Sequence, residues 1–211
     1  MNSKLFYKIM SNFYDLLDVV YFRNYASSPR KVVIDAIDEN DAVLDLCTGT
    51  ATNAINIAKG KRKVKIVGVD LSEDMLTIAK MKRKKENVHN IKFYCMDATK
   101  MTFKDACFDK VLLSLVLHET EETLANKIVE EAVRVMKEDG ELILTEWERS
   151  DKWYQKIIYL PIELLEPKPY KTFIVKDLKA YFAQFGLEIV SESHCDYSKV
   201  LRLKKCKLKA A

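Results

Sequence analysis

Glycine is scarce in this chain. Five glycines occur in 211 residues, and they assemble no G-x-G-x-x-G stretch. That excludes the usual dinucleotide fingerprint, and the lack of any G-K-[ST] excludes a P-loop. Five cysteines are present, Cys47, Cys95, Cys107, Cys195 and Cys206, without a C-x-x-C pair. An odd set without metal spacing argues against a disulfide framework and fits a reducing cytoplasm. The three histidines, His89, His118 and His194, are scattered, so no zinc site is expected. No long apolar run exists either. The opening "MNSKLFYKIMSNFYDLLDVVYF" is broken by Lys4, Lys8, Asp15 and Asp18, which excludes a secretory h-region and a membrane span. Charge of one sign is not in excess: 35 Lys and Arg against 31 Asp and Glu leave +4, which requires no nucleic-acid partner. Internal repeats and low-complexity linkers are missing too.

What remains is an ordinary globular composition, 48% apolar and 31% charged, at a length that suits one well-buried domain. Aromatic pairs recur at Phe6 and Tyr7, Phe13 and Tyr14, Tyr21 and Phe22, an interval that puts them near one helical face. "SSPRKVVIDAI" reads as a helix start, with Ser28 as N-cap and Pro29 in the first turn. From Ala42 strands and helices alternate. "AVLDLC" is a short buried strand, and "ATNAINIAKG" is a helix stopped by Gly60. "VKIVGVDL" is a second strand, and "SEDMLTIAKMKRKKEN" a helix capped by Ser72 with acids first and bases last. "IKFYCMDA" and "FDKVLLSLVL" are the third and fourth strands. "EETLANKIVEEAVRVMKEDG" is a long amphipathic helix closed by Gly140, and "ELILTEW" is the fifth strand. A last helix, "VKDLKAYFAQFG", precedes the antiparallel pair "LEIVSESHC" and "KVLRLKKCKL". The pattern predicts an α/β fold: a doubly wound, mostly parallel seven-stranded sheet with an antiparallel C-terminal pair and helices on both faces. One irregular stretch, "WYQKIIYLPIELLEPKPYKTF", carries Pro161, Pro167 and Pro169 between the fifth strand and the last helix.

Ligands of open parallel sheets bind beyond the carboxyl ends of the strands, where strand order reverses. The first strand ends in Asp45, and the small residues Thr48, Gly49, Thr50 and Ala51 follow. Small residues let a ligand approach the backbone, and the next helix offers free N–H groups. A carboxylate at that tip repels pyrophosphate and suits a positively charged group. The second strand ends in Asp70, 21 residues after Gly49, placed to accept from both ribose hydroxyls. The expected ligand is a nucleoside with a cationic, non-phosphorylated tail, and S-adenosylmethionine is the common metabolite of that description. Asp97 ends the third strand, so three strand-terminal acids stand in register.

"VLDLCTGTATN", "GVDLSEDML", "FYCMDAT" and "FDKVLLSLVLHE", in this order and spacing, resemble the class I S-adenosylmethionine-dependent methyltransferases. The likeness runs from roughly Tyr14 to Trp147. It is greatest to the ubiquinone/menaquinone-biosynthesis C-methyltransferases and their small-molecule relatives, whose likeness includes the N-terminal "FYDLLDVVYF". The resemblance implies a Rossmann-like methyltransferase fold. It divides the chain into an N-terminal helical lid over 1–40 and a cofactor-binding domain over 41–211, with a substrate-covering insert at about 150–173. It also implies roles. Asp45, Thr48, Gly49 and Thr50 line the methionine end. Asp70 holds the ribose, with Leu71 and Met75 beside the adenine. Asp97 and Ala98 read the adenine edge. Ser114 and Leu115 face the sulfonium and the substrate, and Tyr14 closes over the cofactor. The family loop is Gly-x-Gly-x-Gly; here Cys47 and Ala51 hold the outer positions.

His118 and Glu119 are the candidate general bases, because a carbon or phenol nucleophile must lose a proton and imidazole titrates near neutrality. The competing reading of His118 is a residue near the cap of the next helix. Cys47 is expected to be a small packing residue rather than a nucleophile. The runs "KGKRKVK" and "KMKRKK" read as solvated helix ends, with steering of an acidic substrate or toward an anionic lipid surface as the alternative. The expected reaction is in-line methyl transfer to a small-molecule acceptor. The Ile, Leu, Tyr and Pro of the irregular stretch hint at an apolar or quinone/lipid-like acceptor. The rivals are an RNA methyltransferase and a non-catalytic cofactor-binding or interaction protein. The first is disfavoured because no Pro-Pro-aromatic turn follows the fourth strand and no basic RNA-binding domain is appended. The second stays open because fold does not prove turnover. The acceptor's identity and the oligomeric state are not legible.

Overall fold

The computed structural model describes residues 28–149, 152–153, 156, 159–160 and 168–206. Tyr14 and the aromatic pairs of the N-terminal segment lie outside them. Seven strands form one sheet: β1 (Ala42–Leu46), β2 (Lys65–Asp70), β3 (Ile91–Cys95), β4 (Phe108–Ser114), β5 (Met136–Trp147), β6 (Leu187–His194) and β7 (Ser198–Lys205). Their order is β3-β2-β1-β4-β5-β7-β6. The first five are parallel, and β7 runs antiparallel to both β5 and β6. The order reverses between β1 and β4, so the crevice of a doubly wound sheet opens beyond Leu46 and Ser114.

The helices follow local chemistry. Ser28 caps α1 (Pro29–Asp35) through Arg30 N–H, with Pro29 at the first position, where its missing donor costs nothing. α2 (Thr52–Gly60) begins after Ala51, which has no capping side chain. Ser72 caps α3 (Glu73–Lys85) by accepting from Met75 N–H. Glu73 and Asp74 lie at its start and four bases at its end. α4 (Glu122–Val135), α5 (Lys168–Phe173) and α6 (Leu178–Ala183) complete the set, α6 capped by Asp177.

Two apolar clusters cover the two sheet faces. α1 and α2 place Val33, Ile37, Ile55 and Ile57 against Val43, Ile66, Leu112, Ile143 and Val200. α4 and α6 place Ile128, Val129, Ala132 and Phe182 against Leu44, Leu113, Leu144 and Leu201. Alternation along each strand, with every second residue on one face, produces this division. Glu141 sits buried in β5 and takes a bidentate pair from Arg202, Nε to Oε2 at 2.7 Å and Nη2 to Oε1 at 2.8 Å, which locks β5 to β7. Among the described residues, no helix is long and apolar enough to cross a membrane.

Two boundaries differ from the sequence reading. α4 ends at Val135, and Gly140 lies inside β5 rather than closing the helix. A Cβ at Gly140 would meet Met136 Cγ at 2.8 Å and Asp109 O at 3.0 Å, so glycine is required there for close approach. The register of β4 against β5 shifts between Phe108 and Lys110, beside this spot. The irregular stretch also contains a helix, α5, which its prolines concealed.

Candidate functional site

The crevice is built from the loops that follow β1 to β5. Three of five consecutive residues after β1 have left-handed backbone: Cys47 (φ 53), Gly49 (φ 54) and Ala51 (φ 61). These are the positions the glycine pattern would fill. The path is therefore kept although two of its residues carry a Cβ, a conformation that disfavours such residues by roughly 1–2 kcal/mol each. A Cβ added at Gly49 would meet nothing within 4 Å, so the loop faces open space there.

Asp45 is 3% exposed and accepts from Thr48 Oγ1 at 2.5 Å. Burial pushes its carboxyl up to about 6, with the nearby Asp70 charge adding to the rise; the Thr48 hydroxyl and the Ala54 amide oppose it. Asp70 is half-buried and bridges two loops. It accepts from Gly49 N–H at 2.8 Å and from Ser72 N–H at 2.9 Å. A carboxylate has about four lone-pair directions, so two remain beyond these bonds. Asp97 accepts from Thr99 N–H at 2.9 Å and Thr99 Oγ1 at 2.7 Å, and these bonds hold its carboxyl below the usual range.

Cys47 reports how these groups converge. Its thiol is pushed up to about 12, first by burial and then by the charges of Asp70, Asp45, Glu119 and Asp97. Four carboxylates thus act on the tip of β1. The thiol stays protonated and is no nucleophile.

The other expected residues distribute around this centre. Leu71 is 73% exposed, and Met75 is half-buried beside it. Ala98 is buried. Thr50 is engaged elsewhere: its hydroxyl accepts from Lys82 Nζ at 3.0 Å and lies 3.4 Å from Thr52 Oγ1. Ser114 ends β4, and Leu115 turns the chain at φ 57. A 3-10 turn, Leu117–Glu119, follows. Glu119 is exposed, whereas His118 is 2% exposed.

The position of His118 rests on a residue the sequence reading did not single out. Glu146, fully buried in β5, accepts from Leu117 N–H at 2.9 Å and lies 2.6 Å from His118 Nδ1. A carboxylate only accepts, so Nδ1 carries a proton and donates it to Glu146. The imidazole is walled by aromatic rings, Trp147 at 6.4 Å and Tyr170 at 6.1 Å between centroids. Tyr170 donates to the Tyr159 hydroxyl at 2.8 Å, and Tyr159 stacks with Tyr197. The signal for Glu146 was present in "ELILTEW", as one of two acids, Glu141 and Glu146, in a largely apolar segment.

The sequence and the fold both have counterparts among known proteins. A family model described as a methyltransferase domain matches residues 37–181. The chain belongs to the methyltransferase domain family. The demethylmenaquinone methyltransferase of Bacillus subtilis (strain 168) is 27% identical over 207 residues, 88% of either chain. That of Staphylococcus saprophyticus is 29% identical over 144 residues, and the match spans 67% of this chain and 60% of that protein's length. The crystal structure of a SAM dependent methyltransferase from Aquifex aeolicus shares the fold, with a TM-score of 0.72 at 19% identity, over 93% of this chain and 97% of that one. The methyltransferase domain match takes in β1 to β5, α2 to α5 and the first part of α6, hence every loop of the crevice just described.

Proposed function

We propose that this chain is an S-adenosylmethionine-dependent methyltransferase acting on a small aromatic acceptor of the quinol type. The observation that carries this reading is the set of carboxylates that follows β1, β2 and β3: Asp45 is buried, Asp70 accepts from the Gly49 loop amide, and Asp97 is held by Thr99. The residues fit a cationic nucleoside. The raised Asp45 carboxyl marks a buried acid without a counter-cation among the described residues, and the open space above Gly49 leaves room for a ligand against the backbone. S-adenosylmethionine, when bound, supplies the methyl group and a sulfonium leaving group.

The chain's residues then divide the work. Asp45 and Thr48 take the ammonium end, and Asp70 uses its remaining lone pairs for the ribose hydroxyls. Asp97 and Ala98 meet the adenine edge, and the exposed Leu71 and Met75 cover its face. Thr50 belongs to this group through the loop backbone, its hydroxyl being held by Lys82. Tyr14 and the N-terminal 1–40 segment close the site, and the 150–173 stretch covers the acceptor. His118 Nε2 removes the acceptor's proton while Glu146 holds Nδ1–H and so fixes the tautomer. Such a base is worth roughly 10²–10⁴ in rate. Alignment of the attacking atom supplies the rest. Glu119, exposed on the same turn, is the second candidate for proton transfer.

The acceptor class rests on the aromatic wall of Trp147, Tyr159 and Tyr170 around His118, and on the demethylmenaquinone methyltransferases among the relatives. Trp153 and Leu160, exposed in the 150–173 stretch, suit an apolar acceptor at a lipid surface. The reading places the reaction in the cytoplasm. Transfer of labelled methyl from S-adenosylmethionine is the test, run across naphthohydroquinones, phenols, amines, phospholipids and RNA. Label in the naphthohydroquinone fraction is expected. Label confined to RNA rejects the acceptor class, and no transfer to any acceptor rejects the enzyme reading.

A further inference from the structure

Among the described residues three buried hydroxyls lack a hydrogen-bond partner, those of Ser114, Thr145 and Ser198, and the first two are neighbours across β4 and β5. Thr145, in β5, is 4% exposed, and its hydroxyl is buried without a hydrogen-bond partner. The Ser114 hydroxyl is buried and orphaned in the same way. Buried hydroxyls are nearly always satisfied, so two neighbours left bare call for a cause.

The sheet register says where they point. Asp45 lies opposite Leu112. Ser114 is two residues beyond Leu112, hence on the same face and nearer the crevice. Ser114 lies opposite Thr145, and Thr145 opposite Val200. Leu112 and Val200 both belong to the apolar cluster of the α1 and α2 face, which confirms the alternation. Asp45, Ser114 and Thr145 therefore step across three adjacent strands on one face, from the cofactor end of the crevice toward Trp147. Trp147 is two residues past Thr145 and joins the aromatic wall beside His118. β4 stops at Ser114 because Leu115 turns away in a left-handed conformation while donating its N–H to Thr145 O at 2.8 Å. The two hydroxyls thus lie near the strand ends on the face of Trp147, covered in this structure, so an acceptor ring lying against Trp147 meets them by displacing what covers them.

We infer that Ser114 and Thr145 form a two-hydroxyl subsite for an oxygen substituent of the methyl acceptor, on the far side of the ring from the group that His118 deprotonates. This deepens, and rests on, the methyl-transfer reading. Each hydroxyl can donate once and accept twice, so the pair matches a ring hydroxyl or carbonyl. The acceptor is then an aromatic ring with two oxygens rather than a monophenol or a hydrocarbon-like ring. Thr145 is a specificity-determining residue in this scheme.

The test uses the full chain, S-adenosylhomocysteine, and two probes under nitrogen: 1,4-dihydroxynaphthalene and 4-methyl-1-naphthol. Calorimetric titration should give about tenfold or more tighter binding of the dihydroxy probe to wild type, because a site built for a hydroxyl rejects the analogue that lacks it. T145V should bind both probes alike, with S-adenosylhomocysteine affinity unchanged and Tm equal to or above wild type, since an orphaned hydroxyl stabilises nothing. S114A should narrow the difference in the same direction. The inference is overturned by equal binding to wild type, by no binding of either probe, by discrimination that survives in T145V, or by a several-degree fall in Tm of T145V. Discrimination lost in T145V, in a wild type that transfers no methyl group, would retain the subsite and remove the methyl-transfer reading. Methyl transfer without discrimination would do the reverse.

Discussion

Asp45 carries a charge that the protein binds at a cost to its own stability, and Asp45→Asn measures that cost. Its carboxyl is raised from 3.8 to about 6, chiefly by burial. A raised folded-state acid means that the folded chain takes up the proton before the unfolded chain does. The unfavourable contribution is full above about pH 6, shrinks as pH falls, and vanishes below about 4. Two pH units at about 1.4 kcal/mol each give roughly 3 kcal/mol. An amide still accepts from Thr48 and avoids the cost. At pH 7.5 the variant should therefore melt about 6–12 °C above wild type, at 2–4 °C per kcal/mol for a chain of this size. The gain should fade toward pH 4. Binding should move oppositely: the variant lacks the counter-charge and should lose tenfold or more in affinity for S-adenosylmethionine. Wild-type affinity should rise about tenfold from pH 5 to pH 7.5 as the apo carboxylate ionises. Thermal melts followed by circular dichroism from pH 4 to 8, with cofactor titrations alongside, read both. A variant no more stable than wild type at pH 7.5, or equally stabilised at pH 4, refutes the reasoning.

Three further substitutions bear on other parts of the structure. His118→Ala should lower kcat by roughly 10²–10⁴ with little change in cofactor affinity; Glu146→Gln should also lower kcat and change the shape of the pH–rate profile, because it disturbs the tautomer and not the base itself. Steady-state kinetics from pH 6 to 9 check both, and an unaltered profile in Glu146→Gln would remove its positioning role. Gly140→Ala places a Cβ 2.8 Å from Met136 Cγ and 3.0 Å from a backbone oxygen. Overpacking of that kind should cost about 1–3 kcal/mol, visible in urea denaturation as a lower midpoint at constant slope.

Much of this architecture was legible because the strands alternate cleanly with capped helices. Ser28, Ser72 and the charge order of α3 state their helix boundaries in local chemistry. Gly140 misled for a physical reason: a glycine after an amphipathic run resembles a helix stop, while its actual role is close approach across β4 and β5, a long-range fact. α5 was hidden by the prolines around it, which sequence patterning weights as breakers. In the site, the acids were readable from their place at strand ends. Their mutual distance was not, and the elevated Cys47 thiol expresses it. Glu146 was visible as an acid within an apolar strand, yet its pairing with His118 spans 28 residues and depends on the β4–β5 register. Thr145 could not be found from sequence at all, since an orphaned hydroxyl is defined only by its surroundings.

Titration calorimetry with S-adenosylmethionine and with NAD, on wild type and Asp70→Ala, tests the central claim most directly. The account predicts saturable binding of S-adenosylmethionine to wild type, none of NAD, and loss of the signal in Asp70→Ala. Binding of the dinucleotide in its place, or cofactor affinity indifferent to Asp70, would contradict it.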